Sequence, residues 1–174
     1  MVKAFFPGTF DPIHYGHIDI AERASHLFDE VVVAVYDKPL KNLLLSPEER
    51  IELVKQAFLN KKNILVRGYS GMTVEYARKI GAKVIVRGLR VFSDFEHEFR
   101  IALANHHFAP EIDVVALITN QDHTFISSST IREVASLGGD VSSMVPEYVA
   151  QALENKFRGL DEDQRLGKIT SLLE

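Results

Sequence analysis

Short apolar runs alternate with longer amphipathic stretches along most of the chain. The strand candidates are Val2–Phe6, Val31–Tyr36, Ile64–Arg67, Val84–Arg87 and Val114–Thr119. Most are continuous rather than alternating, the pattern of strands covered on both faces in a parallel sheet. Between them, apolar positions recur at helical spacing. Ile18, Ala21, Ala24, Leu27 and Phe28 mark one helix. Ser46-Pro47-Glu48-Glu49 opens another: Ser46 suits an N-cap, Pro47 the first helical position, and Glu49 completes a capping box. Ile51, Leu53, Val54, Ala57 and Phe58 then form its buried side. Thr73–Ile80 reads as a short helix that Gly81 ends in a left-handed cap. Phe95–Phe108, Thr130–Leu137 and a segment from Pro146 to about Phe157 complete the series.

Strand and helix in alternation, five times over, predict an α/β fold. The architecture is a three-layer, doubly wound domain on a five-stranded parallel sheet with right-handed crossovers. In such a sheet the ligand sits beyond the carboxyl ends of the strands, near the point where strand order reverses. Residues 1–158 make up this domain. Gly159–Glu174 is polar at first and then carries Leu166, Ile169, Leu172 and Leu173. It reads as an appendage that either forms a last amphipathic helix or frays.

Composition narrows the chemistry. The chain has 174 residues, enough for one domain with a core of its own. It has no cysteine, which excludes disulfides, a thiolate nucleophile and Cys-based metal sites. Twenty basic against 24 acidic residues give a net charge of −4, so no nucleic-acid partner is expected. No apolar run reaches the ~20 residues of a spanning helix, so no membrane partner is expected and a cytoplasmic location is the default.

The segment after the first strand is the most informative: Pro7-Gly8-Thr9-Phe10-Asp11-Pro12-Ile13-His14-Tyr15-Gly16-His17. Gly8 would permit a tight turn and Gly16 a close ligand approach. His14 and His17 lie three apart where a helix begins, beside free N–H groups and the positive end of the helix dipole, a place for phosphates. The plainer reading makes one histidine a cap and the other a surface residue. The spacing is not that of a P-loop. After the fifth strand, Ser127-Ser128-Ser129 at a helix start offers N–H and O–H donors to phosphates, with Arg132 following. The plainer reading is a serine N-cap. The fourth strand ends in Arg87-Gly88-Leu89-Arg90, which aims arginines at the same cleft.

His14-Tyr15-Gly16-His17 resembles the His-x-Gly-His signature of the nucleotidyltransferase superfamily. The wider block, Pro7 to Pro12 with Gly16-His17-Ile18-Asp19, resembles the bacterial phosphopantetheine adenylyltransferases. So do Ile126-Ser127-Ser128-Ser129-Thr130-Ile131-Arg132, Arg87-Gly88-Leu89-Arg90 and Asp94-Phe95-Glu96-His97-Glu98. The resemblance covers about residues 1–158. It implies a Rossmann-like nucleotidyltransferase fold and adenylyl transfer from ATP to 4′-phosphopantetheine, giving dephospho-coenzyme A and pyrophosphate. It further implies Mg²⁺ carried mainly by the ATP phosphates, with no protein metal site, a homohexamer, and coenzyme A as a feedback ligand.

Residue by residue, the resemblance implies that His17, Lys41 and Arg90 are catalytic. Thr9, Phe10, His14 and His17 would meet ATP, as would Gly88, Leu89, Arg90 and Glu98, and His123, Thr124, Phe125, Ile126 and Ser127–Ser129. Thr9, Lys41, Thr73 and Arg87 would meet the acceptor. The chain departs from the family in three places. Lys41 lies in Lys38-Pro39-Leu40-Lys41-Asn42 where Asn-Pro-x-Lys-Lys is common. His14 stands where many members have threonine, and His123 replaces a common aromatic. Nucleotidyltransferases for nicotinate mononucleotide or cytidylyl acceptors share the first and last motifs, but the Pro7–Pro12 block with Arg87–Arg90 favours phosphopantetheine. A class I aminoacyl-tRNA synthetase fragment would be longer and carry a Lys-Met-Ser-Lys-Ser-like loop. A flavodoxin-like binder would need a phosphate cradle but no donor such as His17. The −4 charge is then expected to hide a basic cleft built from Lys41, Arg87, Arg90 and the histidines.

Overall fold

The computed structural model describes residues 1–38 and 43–170. Among them, strands and helices follow in the order β1 (Lys3–Gly8), α1 (Tyr15–Leu27), β2 (Glu30–Tyr36), α2 (Pro47–Ala57), β3 (Ile64–Tyr69) and α3 (Thr73–Lys79). The second half has β4 (Val84–Leu89), α4 (Phe92–Phe108), β5 (Asp113–Ile118), α5 (Ser128–Ser136), α6 (Glu147–Phe157) and α7 (Glu162–Thr170). The sheet is all parallel in the order β3-β2-β1-β4-β5. The chain moves outward from β1 to β3, then returns to lay β4 against the other side of β1. The switch point therefore lies between the carboxyl ends of β1 and β4.

Successive side chains of a strand point to opposite faces, and here both faces are dry. Ala4 and Phe6 of β1 join Val31, Val33 and Val35 of β2 in a core with α1, α2, α5 and α6. Phe5, Val32 and Ala34 point the other way, onto Val74 and Ala77 of α3 and onto Ala109 and Ile112. This is why the central strands read as unbroken apolar runs. β5 differs. It is an edge strand with Ile118 73% exposed, and α4, which has no buried residue, leaves Phe92, Phe95, Phe99 and Leu103 in water. The rings of Phe92, Phe95 and Phe99 stack on one another at 6.3 and 5.7 Å. The expectation of two covered faces thus fails at this edge.

Helix ends follow local chemistry. The Ser46 hydroxyl accepts the Glu49 N–H at 3.2 Å, and the Glu49 carboxylate accepts the Ser46 N–H at 2.7 Å. Gly81 takes a positive φ of 70° just past α3. The Ser46→Ala variant should lose about 1 kcal/mol, read as a lower urea midpoint with an unchanged slope. A variant as stable as the parent would show that the box contributes nothing. α4 begins at Phe92, three residues before the sequence pattern suggests. Its N-cap, Val91, makes no side-chain cap bond, so no capping residue marks the start. Between Gly159 and Glu174, residues Glu162–Thr170 form α7, whose Arg165 Nε donates to the Leu160 carbonyl at 2.9 Å.

Candidate active site

One cleft of about 450 Å³ opens at the switch point. The end of β1 supplies Gly8, Thr9 and Phe10, and the start of α1 supplies His14 and His17. β4 supplies Arg87, Gly88 and Arg90, α4 supplies Asp94 and Glu98, and α5 supplies Ser127–Ser129. Three segments far apart in sequence meet here because the strand ends and the helix starts share one edge of the sheet.

The Thr9 turn is shaped by Phe10, which has a positive φ of 50° and is 2% exposed. A left-handed non-glycine residue costs about 1–3 kcal/mol and needs its surroundings to hold it. Here the ring packs edge-on against Phe6 at 5.7 Å and His17 at 5.0 Å. Gly8 has an ordinary φ, so it is not the turn glycine the sequence suggests. A Cβ on Gly8 would sit 2.8 Å from the Phe10 ring, so glycine makes room for that ring. At Gly16 a Cβ would meet His14 at 3.1 Å, and at Gly88 it would meet Ile20 at 3.2 Å. These glycines serve close packing of protein on protein as well as an open cleft.

The two histidines stack with centroids 3.7 Å apart. His14 is the N-cap of α1: its Nδ1 accepts the His17 N–H at 3.4 Å. The plainer reading of one histidine as a cap is thus correct for His14, although the ring is buried. With Nδ1 accepting, a neutral His14 carries its proton on Nε2. Among the described residues the buried His17 Nδ1 has no hydrogen-bond partner, and the ring lines the cleft. Burial, then the charges of Arg90 and Arg87, push the His17 pKa down to about 3. Burial, then His17, Arg90 and His123, hold the His14 pKa well below the usual imidazole range. Both rings are therefore neutral at pH 7.

That state has a consequence for stability. The unfolded chain takes up a proton on His17 near its ordinary value of 6.5, while the folded chain resists until about 3. Between those values the unfolded state binds more protons. The contribution of the neutral ring is complete above about pH 6.5 and is lost as pH falls toward 3. The melting temperature should fall from about pH 7.5 to about pH 5, and fall less steeply in His17→Gln. Identical slopes in the two proteins would exclude His17 as a cause.

The arginines are not free cations. Glu98 accepts from Arg87 Nε and Nη2, both at 2.6 Å, and Arg87 Nη1 donates to the Pro7 carbonyl at 3.2 Å. Asp94 accepts from Arg90 Nε at 3.1 Å and Nη2 at 3.3 Å, and Arg90 Nη1 donates to the Ile126 carbonyl at 3.0 Å. Of the residues expected to make the cleft basic, His14 and His17 are neutral and Arg87 and Arg90 are matched by Glu98 and Asp94. These four offer an anion oriented donors.

At α5 the serine hydroxyls are partly spent. Ser127 caps the helix by accepting the Thr130 N–H at 3.0 Å, and Ser128 donates to the Pro12 carbonyl at 2.9 Å. Ser129 Oγ accepts from Arg132 Nη2 at 3.5 Å, which leaves its O–H to donate. The first-turn amides of Ser128 and Ser129 are free of i−4 partners, as at any helix start. The cap reading and the phosphate reading thus hold together, with Ser127 the cap.

Several expected residues stand outside this cleft. Leu89 is half-buried at the end of β4. His123 stacks on Tyr15 at 6.1 Å, Thr124 donates to the Gln121 carbonyl at 2.8 Å, Phe125 is exposed and Ile126 is buried. These four residues, just before α5, do not line the cleft; only the Ile126 carbonyl reaches Arg90. Thr73 sits at the start of α3, 3.4 Å from the Tyr69 hydroxyl, and lines no part of the cleft. Lys41 lies outside the described residues. Sequence reasoning missed Asp11 and Arg50, buried behind the cleft, and the role of Arg132, a buried residue at its wall. Arg50 lies three and four residues before Leu53 and Val54, so its helical phase with the buried face was the available signal.

Comparison with known proteins agrees with the geometry. The family model described as cytidylyltransferase-like matches residues 5–134. A phosphopantetheine adenylyltransferase of Herpetosiphon aurantiacus is 48% identical over 94% of this chain and 99% of its own length. This chain belongs to the phosphopantetheine adenylyltransferase family. The phosphopantetheine adenylyltransferase of Thermomicrobium roseum is 50% identical over 91% of this chain and 96% of its own length. A solved structure from Vibrio parahaemolyticus, provisionally described as a nicotinate-nucleotide adenylyltransferase, superposes with a TM-score of 0.68. It is 24% identical over 89% of this chain and 100% of its own, a likeness of fold. As a phosphopantetheine adenylyltransferase family member the chain is a nucleotidyltransferase.

Proposed function

We propose that the chain transfers the adenylyl group of ATP to 4′-phosphopantetheine, reversibly, giving dephospho-coenzyme A and pyrophosphate in coenzyme A biosynthesis. The observation that carries this reading is the meeting of Thr9, His17, Arg90 and the α5 start in one cleft, in a chain about half identical to relatives of that name. The acceptor phosphate attacks the α-phosphorus of ATP, a new P–O bond forms, and the bond to the β-phosphate breaks. The acceptor is already a nucleophile, so the protein need only position both substrates and stabilise charge on the α-phosphoryl group.

In this reading Thr9, Lys41 and Arg87 hold the acceptor phosphate. His17, neutral and protonated on Nε2, donates to an α-phosphate oxygen as charge builds there. Arg90, with the Ser128 and Ser129 amides and the Ser129 hydroxyl, holds the β- and γ-phosphates as they leave. His14 Nε2–H adds a donor beside His17. Phe10, Gly88 and Leu89 border the nucleotide, with Glu98 fixing Arg87, and His123, Thr124, Phe125 and Ile126 would close over ATP. Thr73 would meet the pantetheine arm. ATP enters as its Mg²⁺ complex; Asp94 and Glu98 are engaged with arginines, which favours an ion held by phosphate oxygens and water.

Coenzyme A, which keeps the adenylyl and pantetheine parts of the product, would compete for the same cleft as a feedback ligand. The exposed Phe92, Phe95, Phe99 and Leu103 of α4 support a homohexamer that covers them. The cytoplasm, where ATP is made, is the expected place of work; among the described residues no helix is long and apolar enough to cross a membrane. Pyrophosphate release from ATP should require 4′-phosphopantetheine and should be absent with nicotinate mononucleotide. Release with nicotinate mononucleotide, and none with phosphopantetheine, would overturn the assignment.

A further inference from the structure

Behind the cleft lies a buried ionic network that the reaction chemistry does not use. Asp11 and Arg50 are each 1% exposed and Arg132 is 5% exposed. The two carboxylate oxygens of Asp11 accept the N–H groups of Leu44 and Leu45, both at 2.9 Å. Arg132 Nη1 lies 3.4 Å from Asp11 Oδ2 and also donates to the Asp11 carbonyl. Arg50 Nη1 donates to the Thr9 carbonyl at 2.8 Å and the Tyr36 carbonyl at 2.7 Å, and its Nε donates to the Leu45 carbonyl at 3.3 Å.

The arrangement is specific in what it joins. Thr9 is held by Arg50 and Asp11 by Arg132, so the turn after β1 is clamped from two helices. Asp11 and Arg50 together seat residues 44–45 from both sides, through two N–H groups and one carbonyl. Leu44 follows Lys41 by three residues, and Tyr36 precedes it by five. The network thus ties the Thr9 turn, assigned to the acceptor phosphate, to Tyr36 and to residues 44–45. On the nucleotide side it reaches the cleft wall through Arg132, whose contact with Ser129 is weak.

We propose that Asp11 and Arg50 are positioning residues for the acceptor half of the reaction. They set the Thr9 turn against residues 44–45 and the end of β2, and so place the attacking phosphate. The inference rests on the adenylyl-transfer reading above. Charged side chains this deeply buried are usually paired and hydrogen-bonded, because desolvation is costly. A well-packed apolar pair could fill the same volume, but it could not grip two N–H groups and three carbonyls of separate loops.

The test compares Asp11→Asn with the parent enzyme in two quantities, the KM for the phosphopantetheine acceptor and the Kd for ATP. Asparagine keeps shape and one acceptor but cannot accept both N–H bonds. The expected result is a rise of at least about tenfold in acceptor KM, or a matching fall in kcat/KM, with ATP affinity within about twofold. Arg50→Lys should show the same split, and serves if Asp11→Asn does not fold. In the unaltered protein, the Leu44 and Leu45 amides should be protected from hydrogen exchange. Equal weakening of acceptor and ATP, unchanged kinetics, or unprotected amides at both positions would overturn the proposal. A parent enzyme that does not use phosphopantetheine would instead refute the underlying reading and leave the amide protection as the deciding measurement for the clamp itself.

Discussion

Replacing His17 by alanine is expected to lower turnover by about 10²–10³-fold, the effect of removing one transition-state donor worth ~2.7–4 kcal/mol. ATP affinity should change little, because the donor is directed at charge that develops on the α-phosphoryl group rather than at charge already present. The chemical state of the ring makes this role possible. A neutral imidazole, kept so by burial and by Arg90 and Arg87, offers an N–H without adding charge to the resting cleft. Its stacking against His14 at 3.7 Å and its edge contact with Phe10 at 5.0 Å fix the ring before substrate arrives. The check is steady-state turnover beside ATP titration. Near-normal turnover, or a loss confined to ATP binding, would remove His17 from the transition state.

The second large effect concerns stability. Arg132→Met should destabilise the fold by about 3–5 kcal/mol, because it takes the ion-pair partner from the buried Asp11 carboxylate. The side chains of Arg132 and Asp11 are 7% and 1% exposed, so solvent cannot take over the lost partner. Two N–H bonds from Leu44 and Leu45 remain to Asp11, which places the cost in this range rather than beyond it. Urea unfolding measures it directly. A loss below about 1 kcal/mol, the size expected for an exposed pair, would show that the pair is not what holds α5 to the β1 turn.

Much of this molecule is legible in its sequence, and the reasons are local. Val31–Tyr36 reads as a doubly buried strand because Val31, Val33 and Val35 face one core and Val32 and Ala34 the other. Ser46 through Glu49 writes out its capping box in four residues. The Thr9–His17 segment, the Arg87–Arg90 strand end and Ser127–Ser129 each follow a strand, and the parallel topology delivers all three to one cleft. What was not legible depends on partners distant in sequence. Arg87 meets Glu98 across the cleft, so a residue read as a free cation is half of an ion pair. Asp11 meets Leu44 and Leu45 through backbone N–H groups, which leave no mark in residue type. Arg50 sits on the apolar side of α2, where its charge alone suggests solvent. The phenylalanines of α4 have the spacing of a buried helix face, yet Phe92, Phe95 and Phe99 are exposed.

The proposed transfer is direct, acceptor phosphate to α-phosphorus, with no covalent enzyme intermediate. Incubation with α-³²P-labelled ATP tests this in one experiment. With 4′-phosphopantetheine present, label should appear in dephospho-coenzyme A in step with pyrophosphate, and none should remain on the protein with or without acceptor. Label bound to the protein, or carried to any product other than dephospho-coenzyme A, would contradict it.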